Sequence, residues 1–503
     1  MHVILQAGGR GSRLRHHTWN KPKCLVSVQG KPVLYHLFDR FPHARFLIIG
    51  DYAFDVLKAY LEYNPPPVDY AMVRASAKGT VSGIAQALEL VPQDEPVLIA
   101  WSDLLIGPDV PVWPDSRAPV VGLTDDFTCR WSLRPDGVLA EVPSARDGVA
   151  GIFYVGRRAD LPAPPEEGEF MPWFVRAVPG FQTRTWKALR EIGDFGAIEA
   201  MNGGDGFTRF FNKVEIEEET VRKSAVEPAY AELIDREIAW YREVRALGFA
   251  RIPAVLGERP FVMQRVQGAH PWQMSDLTAR ERRAVLADAV DALSGLHARG
   301  AQPWRDDEAR EVYLNKTCSR VESVRALIPM IDRASVTVNG LKCRNPFSER
   351  HAGLLAQLYA RLAGGRFCPI HGDPTFSNTL VDRNLRTWFI DPRGYFAKPG
   401  VYGDPLYDFA KLYYSAAGGY DVFNRRQFKL HVDEDTVEIL MESPPFADAV
   451  EAIFGGDFGG RLAEIRILHG LIWLSLSGYV RDDVDSVIAA FFFGLYWLER
   501  AGQ

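Results

Sequence analysis

The chain has 503 residues, of which 47% are hydrophobic and 24% charged, and a formal net charge of -6. A composition this near the globular average excludes disordered and fibrous classes, and the mild acidity excludes nucleic-acid binding driven by counterion release. The length exceeds one compact domain and predicts roughly two to four folded units, each with a core of its own.

Cys24, Cys129, Cys318, Cys343 and Cys368 are scattered with no C-x-x-C pair, so neither a zinc knuckle nor a disulfide framework is expected. Val3-Ile4-Leu5 is too short for a signal peptide, and the apolar run at 467–476 is broken by His469 and Gly470, short of the roughly 20 residues of a membrane span. These features predict a cytoplasmic protein with no membrane and no nucleic-acid partner; self-association stays open.

In chain order, short apolar strands at Val3-Ile4-Leu5, Phe46-Leu47-Ile48-Ile49 and 96–100 alternate with helical stretches, which predicts an α/β sheet over 1–200 with its site at the strand ends. A breaker cluster, Met201-Asn202-Gly203-Gly204-Asp205-Gly206, reads as the linker 201–206. A β-like piece at 210–223 and an amphipathic segment at 230–247 follow, belonging to a small lobe over 207–268. The rest, a helical lobe over 269–503, is largely helical by periodicity from about 275 onward, interrupted by a β-rich patch at 367–390.

The first strand runs into Ala7-Gly8-Gly9-Arg10-Gly11-Ser12-Arg13, a glycine-rich turn expected to open a helix. Backbone N–H groups there can curl around a phosphate, and a helix start adds partial positive charge. Thr18, Lys21, Pro22 and Lys23 follow before Cys24-Leu25-Val26. Further on, Lys78-Gly79-Thr80 precedes a helical stretch, and Trp101-Ser102-Asp103 closes a buried strand, where a carboxylate is well placed to hold Mg²⁺.

These motifs, in this order, resemble the sugar-phosphate and choline-phosphate nucleotidyltransferases. The resemblance implies that Gly8, Gly9, Gly11 and Ser12 hold a nucleoside triphosphate together with Gly79 and Thr80. It also implies that Arg13 and Lys23 act on the pyrophosphate and α-phosphate, and that Asp103 binds Mg²⁺. A second metal carboxylate late in the domain is assigned to Asp194, with Glu191 as the alternative.

In the C-terminal half, His371-Gly372-Asp373 with Asn378 five residues on and Asp391 after Phe389-Ile390 supplies what a kinase needs. One group accepts the hydroxyl proton and two hold Mg²⁺ on the ATP phosphates. The stretch resembles the aminoglycoside phosphotransferase and choline kinase family, which implies Asp373 as catalytic base and Asn378 and Asp391 as metal ligands. The same resemblance places Lys223 on the ATP phosphates, pairs it with Glu237 (Glu232 competing), and puts adenine at Gln264 and Val266. His371, Asp404 and Asp408 read as structural.

Together the two resemblances imply an α/β nucleotidyltransferase, Rossmann-like with a mixed sheet of GT-A type, followed by a bilobal α+β protein-kinase-like domain. The implied chemistry is sequential: ATP phosphorylates a small alcohol or amino alcohol, then a nucleotidyl group, CTP favoured, is added to give an activated building block for surface or capsular polysaccharide. Three alternatives stay open: a nucleotide-sugar enzyme using UTP, dTTP or GTP, a kinase-like module that only binds, and an antibiotic-modifying kinase with a passive N-terminal domain. Trp101, Trp113, Trp131 and Trp173 are candidates for a cage around a quaternary ammonium, set against the commoner role of tryptophan in a core.

Overall fold

The computed structural model describes residues 1–107, 116–193, 196, 198, 201, 212–226, 228–362, 364–458 and 460–502. It divides into two compact units, Met1–Gly204 with Val480–Asp485, and Asp205–Tyr479 with Ser486–Gln503. Of the expected linker 201–206, residues 202–206 lie outside the described residues.

The first unit is built on a mixed sheet. Strand His2–Gln6 lies between Arg45–Gly50 and Val97–Trp101, parallel to both, and Arg45–Gly50 pairs in parallel with Tyr70–Arg74. Strand Gly148–Val155 then runs antiparallel to Val97–Trp101 and to Val120–Thr124. Val3, Ile4 and Leu5 are all fully buried, as expected of parallel strands whose two faces are both covered. That is why the first strand reads as a continuous apolar run instead of an alternating one.

Residues Val480–Asp485 belong to this unit. They are held by Lys21, whose Nζ lies 2.8 Å from Asp483 and 2.5 Å from Asp485, and by Tyr63, whose hydroxyl donates to the Val480 carbonyl at 2.9 Å. Burial presses the Lys21 ammonium toward neutrality, and the two aspartates outweigh it, so its pKa is raised.

The second unit opens with a four-stranded sheet in the order Asn212–Ile216, Thr220–Ala225, Phe261–Gln264, Val255–Glu258, beside helix Ala231–Ala246. Helices Ala279–His297, Pro405–Ala416 and Leu462–Ser477 follow. Asp404 caps the second of these, its carboxylate accepting the Leu406 N–H at 3.0 Å. The hairpin of Thr379–Val381 and Thr387–Phe389 lies between the loops that carry Asp373 and Asp391.

One expectation is incomplete in this unit. The region after 269 is largely helical, but the 367–390 patch is not its only β structure: Ser335–Val338, Leu341–Arg344, Thr436–Met441 and Phe428–Val432 form a further four-stranded sheet. Its first hairpin turns at Asn339-Gly340, both at positive φ (46° and 79°), the backbone that a two-residue hairpin turn demands.

Candidate active sites

In the first unit the parallel register carries the glycine loop, Gly50-Asp51 and Ser102-Asp103 to one edge of the sheet. The backbone passes so close there that a Cβ on Gly8 would lie 2.7 Å from Asp51 Cβ. Gly9 accepts the Lys23 N–H at 3.2 Å, and Gly11, at φ 63°, accepts the Thr18 hydroxyl at 3.1 Å. The loop is thereby folded over the segment that bears Lys23.

The helix expected after the loop does not form. Ser12–Thr18 is a pair of 3₁₀ turns broken at Arg15, whose φ and ψ are 52° and -126°. So short and broken a stretch aligns few peptide dipoles, and the positive charge expected of a helix start is small. An anion at this loop would be met by loop N–H groups and side chains and not by a helix dipole.

Lys23 Nζ lies 2.5 Å from Asp103 Oδ2, with the two side chains 11% and 17% exposed. The other carboxylate oxygen, Asp103 Oδ1, is buried with no hydrogen-bond partner among the described residues. A buried, unsatisfied carboxylate oxygen costs free energy unless a cation or donor meets it. Asp103 therefore fits a magnesium ligand, an ion that takes one or two carboxylates and completes its shell with substrate phosphate and water. No group of three or more His, Cys, Asp or Glu gathers as a metal site among the described residues.

Gly79, at φ 99°, leads into Thr80, whose hydroxyl donates to Glu169 at 2.8 Å and accepts the Phe170 N–H at 2.8 Å. The Gln6 amide donates to the Thr80 carbonyl, joining this turn to the glycine loop's strand. Arg13 stands apart: its side chain is 74% exposed and its guanidinium is 3.9 Å from Glu191. Asp194 lies outside the described residues. So does Trp113, while Trp173 is buried in the core and Trp101 and Trp131 pack against that same core. Among the described residues these three tryptophans therefore serve the sheet's core.

In the second unit, Lys223 is 5% exposed and pairs with Glu237 at 2.7 Å and with Asp391. Asp391 holds a left-handed backbone, φ 56°, which aspartate tolerates better than most residues. Asn378 Nδ2 donates to the Asp373 carboxylate at 3.0 Å and to its carbonyl at 2.9 Å, so the metal-binding capacity of Asn378 rests on its amide oxygen. Asp373, Asn378, Lys223, Glu237 and Asp391 therefore cluster around the hairpin. Gln264 ends the third strand of the small sheet, its N–H donating to the Ala254 carbonyl at 2.8 Å, and Val266 lies just beyond the strand's end.

The loop bearing Asp373 is braced from behind. Asp408, fully buried, accepts the N–H groups of His371 at 2.8 Å and Gly372 at 2.7 Å, and bonds His297 Nε2 at 3.0 Å. His371 has Nε2 3.0 Å from the Ile390 carbonyl and Nδ1 3.3 Å from the Asp373 N–H, which fixes one neutral tautomer. Burial, outweighing the nearby aspartates, lowers its pKa. His371 thus links the two functional loops and exchanges no proton in this arrangement.

Lys411, not anticipated from the sequence, lies 3.0 Å from Asp373 Oδ1. Burial favours its neutral form, yet Asp373 and Tyr407 more than offset this and raise its pKa. The available signal was helical spacing, since Tyr407, Lys411 and Tyr414 share one face of Pro405–Ala416.

Comparison with known proteins matches residues 3–110 to the MobA-like NTP transferase domain and residues 198–434 to the phosphotransferase enzyme family. The chain is 32% identical over 110 residues to a UTP--glucose-1-phosphate uridylyltransferase of Haloferax volcanii, covering 20% of this chain and 43% of that protein. It is 24% identical over 171 residues to a CTP:phosphoglutamine cytidylyltransferase of Campylobacter jejuni, covering 32% and 67%. The first curated relative is thus spanned over less than half its length. Among solved structures, HddC of Yersinia pseudotuberculosis with GMP-PN aligns at 19% identity and a TM-score of 0.32, covering 40% of this chain and 96% of that one.

Proposed function

We propose that this chain, which joins an N-terminal NTP transferase domain to a phosphotransferase-family domain, first phosphorylates a small hydroxyl-bearing metabolite and then activates the product with a nucleotide. Both domains are of enzyme families, nucleotidyltransferase and small-molecule phosphotransferase. The observation that carries the reading is a repeated arrangement: Lys23 with Asp103 and Lys223 with Asp391, each a buried cation held against a carboxylate. A phosphate that arrives with its counterion can take the lysine, and the carboxylate released from it can take the ion.

In the phosphotransferase half Asp373 accepts the proton of the substrate hydroxyl, whose oxygen attacks the γ-phosphorus of ATP as ADP leaves. Lys223 holds the ATP phosphates and Glu237 orients it, with the adenine set against Gln264 and Val266. Asn378 and Asp391 would hold magnesium. In the transferase half the new phosphomonoester attacks the α-phosphorus of the nucleotide and pyrophosphate departs, while Lys23 and Arg13 draw off the developing charge. The loop of Gly8, Gly9, Gly11 and Ser12, with Gly79 and Thr80, receives the nucleotide; Asp103, with Asp194 as second ligand, would hold the metal. Magnesium, when bound, neutralises phosphate charge at both sites.

CTP is the favoured nucleotide, supported by the cytidylyltransferase relative, which aligns over 171 residues. A UTP-using reading draws on the relative of higher identity, at 32%. A cytoplasmic supplier of activated units for surface polysaccharide is the setting that fits either.

The test is to incubate the full chain with ATP, Mg²⁺, each of CTP, UTP, dTTP and GTP, and a panel of small hydroxyl compounds. A new nucleotide conjugate and pyrophosphate are expected by mass spectrometry. Pyrophosphate release with no dependence on ATP would remove the sequential reading.

A further inference from the structure

A group of cations lies beside Asp373, whose carboxylate attracts both Lys411 and Arg393 and is shared between them. Lys411, ion-paired to Asp373, also faces the Tyr407 ring at 5.9 Å, and Arg393 faces the same ring at 5.7 Å while donating to its hydroxyl at 2.9 Å. Arg393 also lies 4.1 Å over the Tyr395 ring, and Lys316 faces that ring at 5.7 Å. Arg320, one turn beyond Lys316 on helix Lys316–Ser323, lies 5.1 Å over Tyr479 and donates to the Ser475 hydroxyl at 2.9 Å. Shared rings thus connect Lys316 through Arg393 and Lys411 to the aspartate.

Among the described residues, Lys316, Arg320 and Arg393 have no carboxylate within salt-bridge distance. Like charges held together away from water repel strongly, and burial magnifies the cost. Lys316 registers it: its pKa is pushed down to about 6 by burial and then by Arg393, Arg320 and Lys411, with Glu311 opposing only weakly. Structural cation–π packing alone gives no reason to set two cations on one ring. Such a cluster is stable once an anion occupies it, and perturbed groups of this kind gather where ligands bind.

We infer that the acceptor of the phosphotransferase domain is itself an anion, a hydroxyl compound bearing a carboxylate or phosphate, gripped by Lys316, Arg320 and Arg393 while its hydroxyl meets Asp373. The inference rests on the proposed role of Asp373 in phosphoryl transfer. It narrows the acceptor away from amino alcohols, whose positive charge the same cluster repels. Lys223, paired with Glu237 and Asp391, is already assigned to the ATP phosphates, so the cluster is not needed to hold them.

The experiment measures ADP release by the full chain with Mg·ATP and matched acceptors: gluconate against glucose, glycerol 3-phosphate and glycerate against glycerol, ethanolamine and choline. The anionic members are expected to be turned over, and the arms separate carboxylate from phosphate. Lys316→Met, which replaces a half-buried lysine with an apolar chain of similar length, should raise their KM about tenfold and leave the KM for ATP within about twofold. Preference for neutral or cationic members, or an equal rise in the KM for ATP, overturns the inference and leaves phosphotransfer intact.

If no member is turned over, inorganic phosphate is titrated into the Mg·ADP-saturated protein. Loss of one binding event in Lys316→Met or Arg320→Met upholds the anion site and counts against phosphotransfer at Asp373. Identical titrations of wild type and both variants overturn the inference.

Discussion

Lys23 and Asp103 meet at 2.5 Å although they hang from loops following different strands of one sheet. The parallel pairing of His2–Gln6 with Val97–Trp101 brings both loops to the same edge, so the contact is a product of topology and not of local sequence.

This pair separates a catalytic from a structural role. Removing one partner of a buried ion pair strands the other, at a cost of about 3 kcal/mol, whereas replacing both with apolar groups is close to neutral. Lys23→Met should lower both stability and nucleotidyl transfer, the latter by about a hundredfold or more. The double variant Lys23→Met with Asp103→Leu should recover most of the melting temperature and none of the activity. Recovery of activity alongside stability, read by pyrophosphate release, would assign the pair to folding alone.

Asp408 offers the complementary case in the other unit. Its carboxylate accepts two loop N–H groups and bonds His297. In Asp408→Asn an amide NH₂ must face a donor, which costs about 1 to 3 kcal/mol and displaces the loop. The expected result is a lower kcat for ADP formation with nearly unchanged ATP affinity, measured by steady-state kinetics and nucleotide titration. An unchanged kcat would mean that the loop holds its position without this brace.

Much of both candidate sites was legible because the signals are local. The run Gly8 to Lys23 and the spacing of Asp373, Asn378 and Asp391 each fall within a short stretch whose backbone needs are written in residue type, as with Gly11 and Gly372 at φ 63° and 84°. What escaped notice depends on distant partners. Lys411, Lys316 and Arg320 carry no local signal that separates them from other helical cations until the fold sets them near Asp373 and Arg393. Two failures were local. The 3₁₀ turns at Ser12–Thr18 were read as helix because nothing marks Arg15 for positive φ. The sheet at Ser335–Arg344 was missed although Asn339-Gly340 between Val338 and Leu341 is a hairpin signature.

Lys316 should leave a mark on the pH dependence of stability. Its pKa falls from 10.5 in an open chain to about 6 when folded, so across that window the unfolded chain binds the extra proton. Stability therefore rises with pH on account of this group, from near its folded pKa to near its unfolded one. Lys316→Met removes that contribution. Urea midpoints at about pH 6.5 and about pH 8.5 should show a smaller gain, or a larger loss, with rising pH in the variant than in wild type. Equal slopes would place the Lys316 ammonium in water.

Gly79 is the sharpest steric test of the nucleotide loop. At φ 99° its backbone disfavours any side chain, and a Cβ there would fall 2.2 Å from the carbonyl oxygen of Gly168, a backbone atom that cannot swing aside. The Val81 N–H donates to that same carbonyl at 3.0 Å, so moving it also breaks the turn carrying Thr80. Gly79→Ala should cost about 2 kcal/mol or more and raise the KM for the nucleotide. Gly30→Ala is the control: its φ is 82°, but its Cβ would meet nothing within 4 Å. It bears the conformational strain, about 1 kcal/mol, without the collision, and lies outside the nucleotide loop. Thermal melting and nucleotide kinetics on both variants decide the matter. If Gly79→Ala melts with Gly30→Ala and keeps its KM, the Gly79–Gly168 approach is not what shapes the loop.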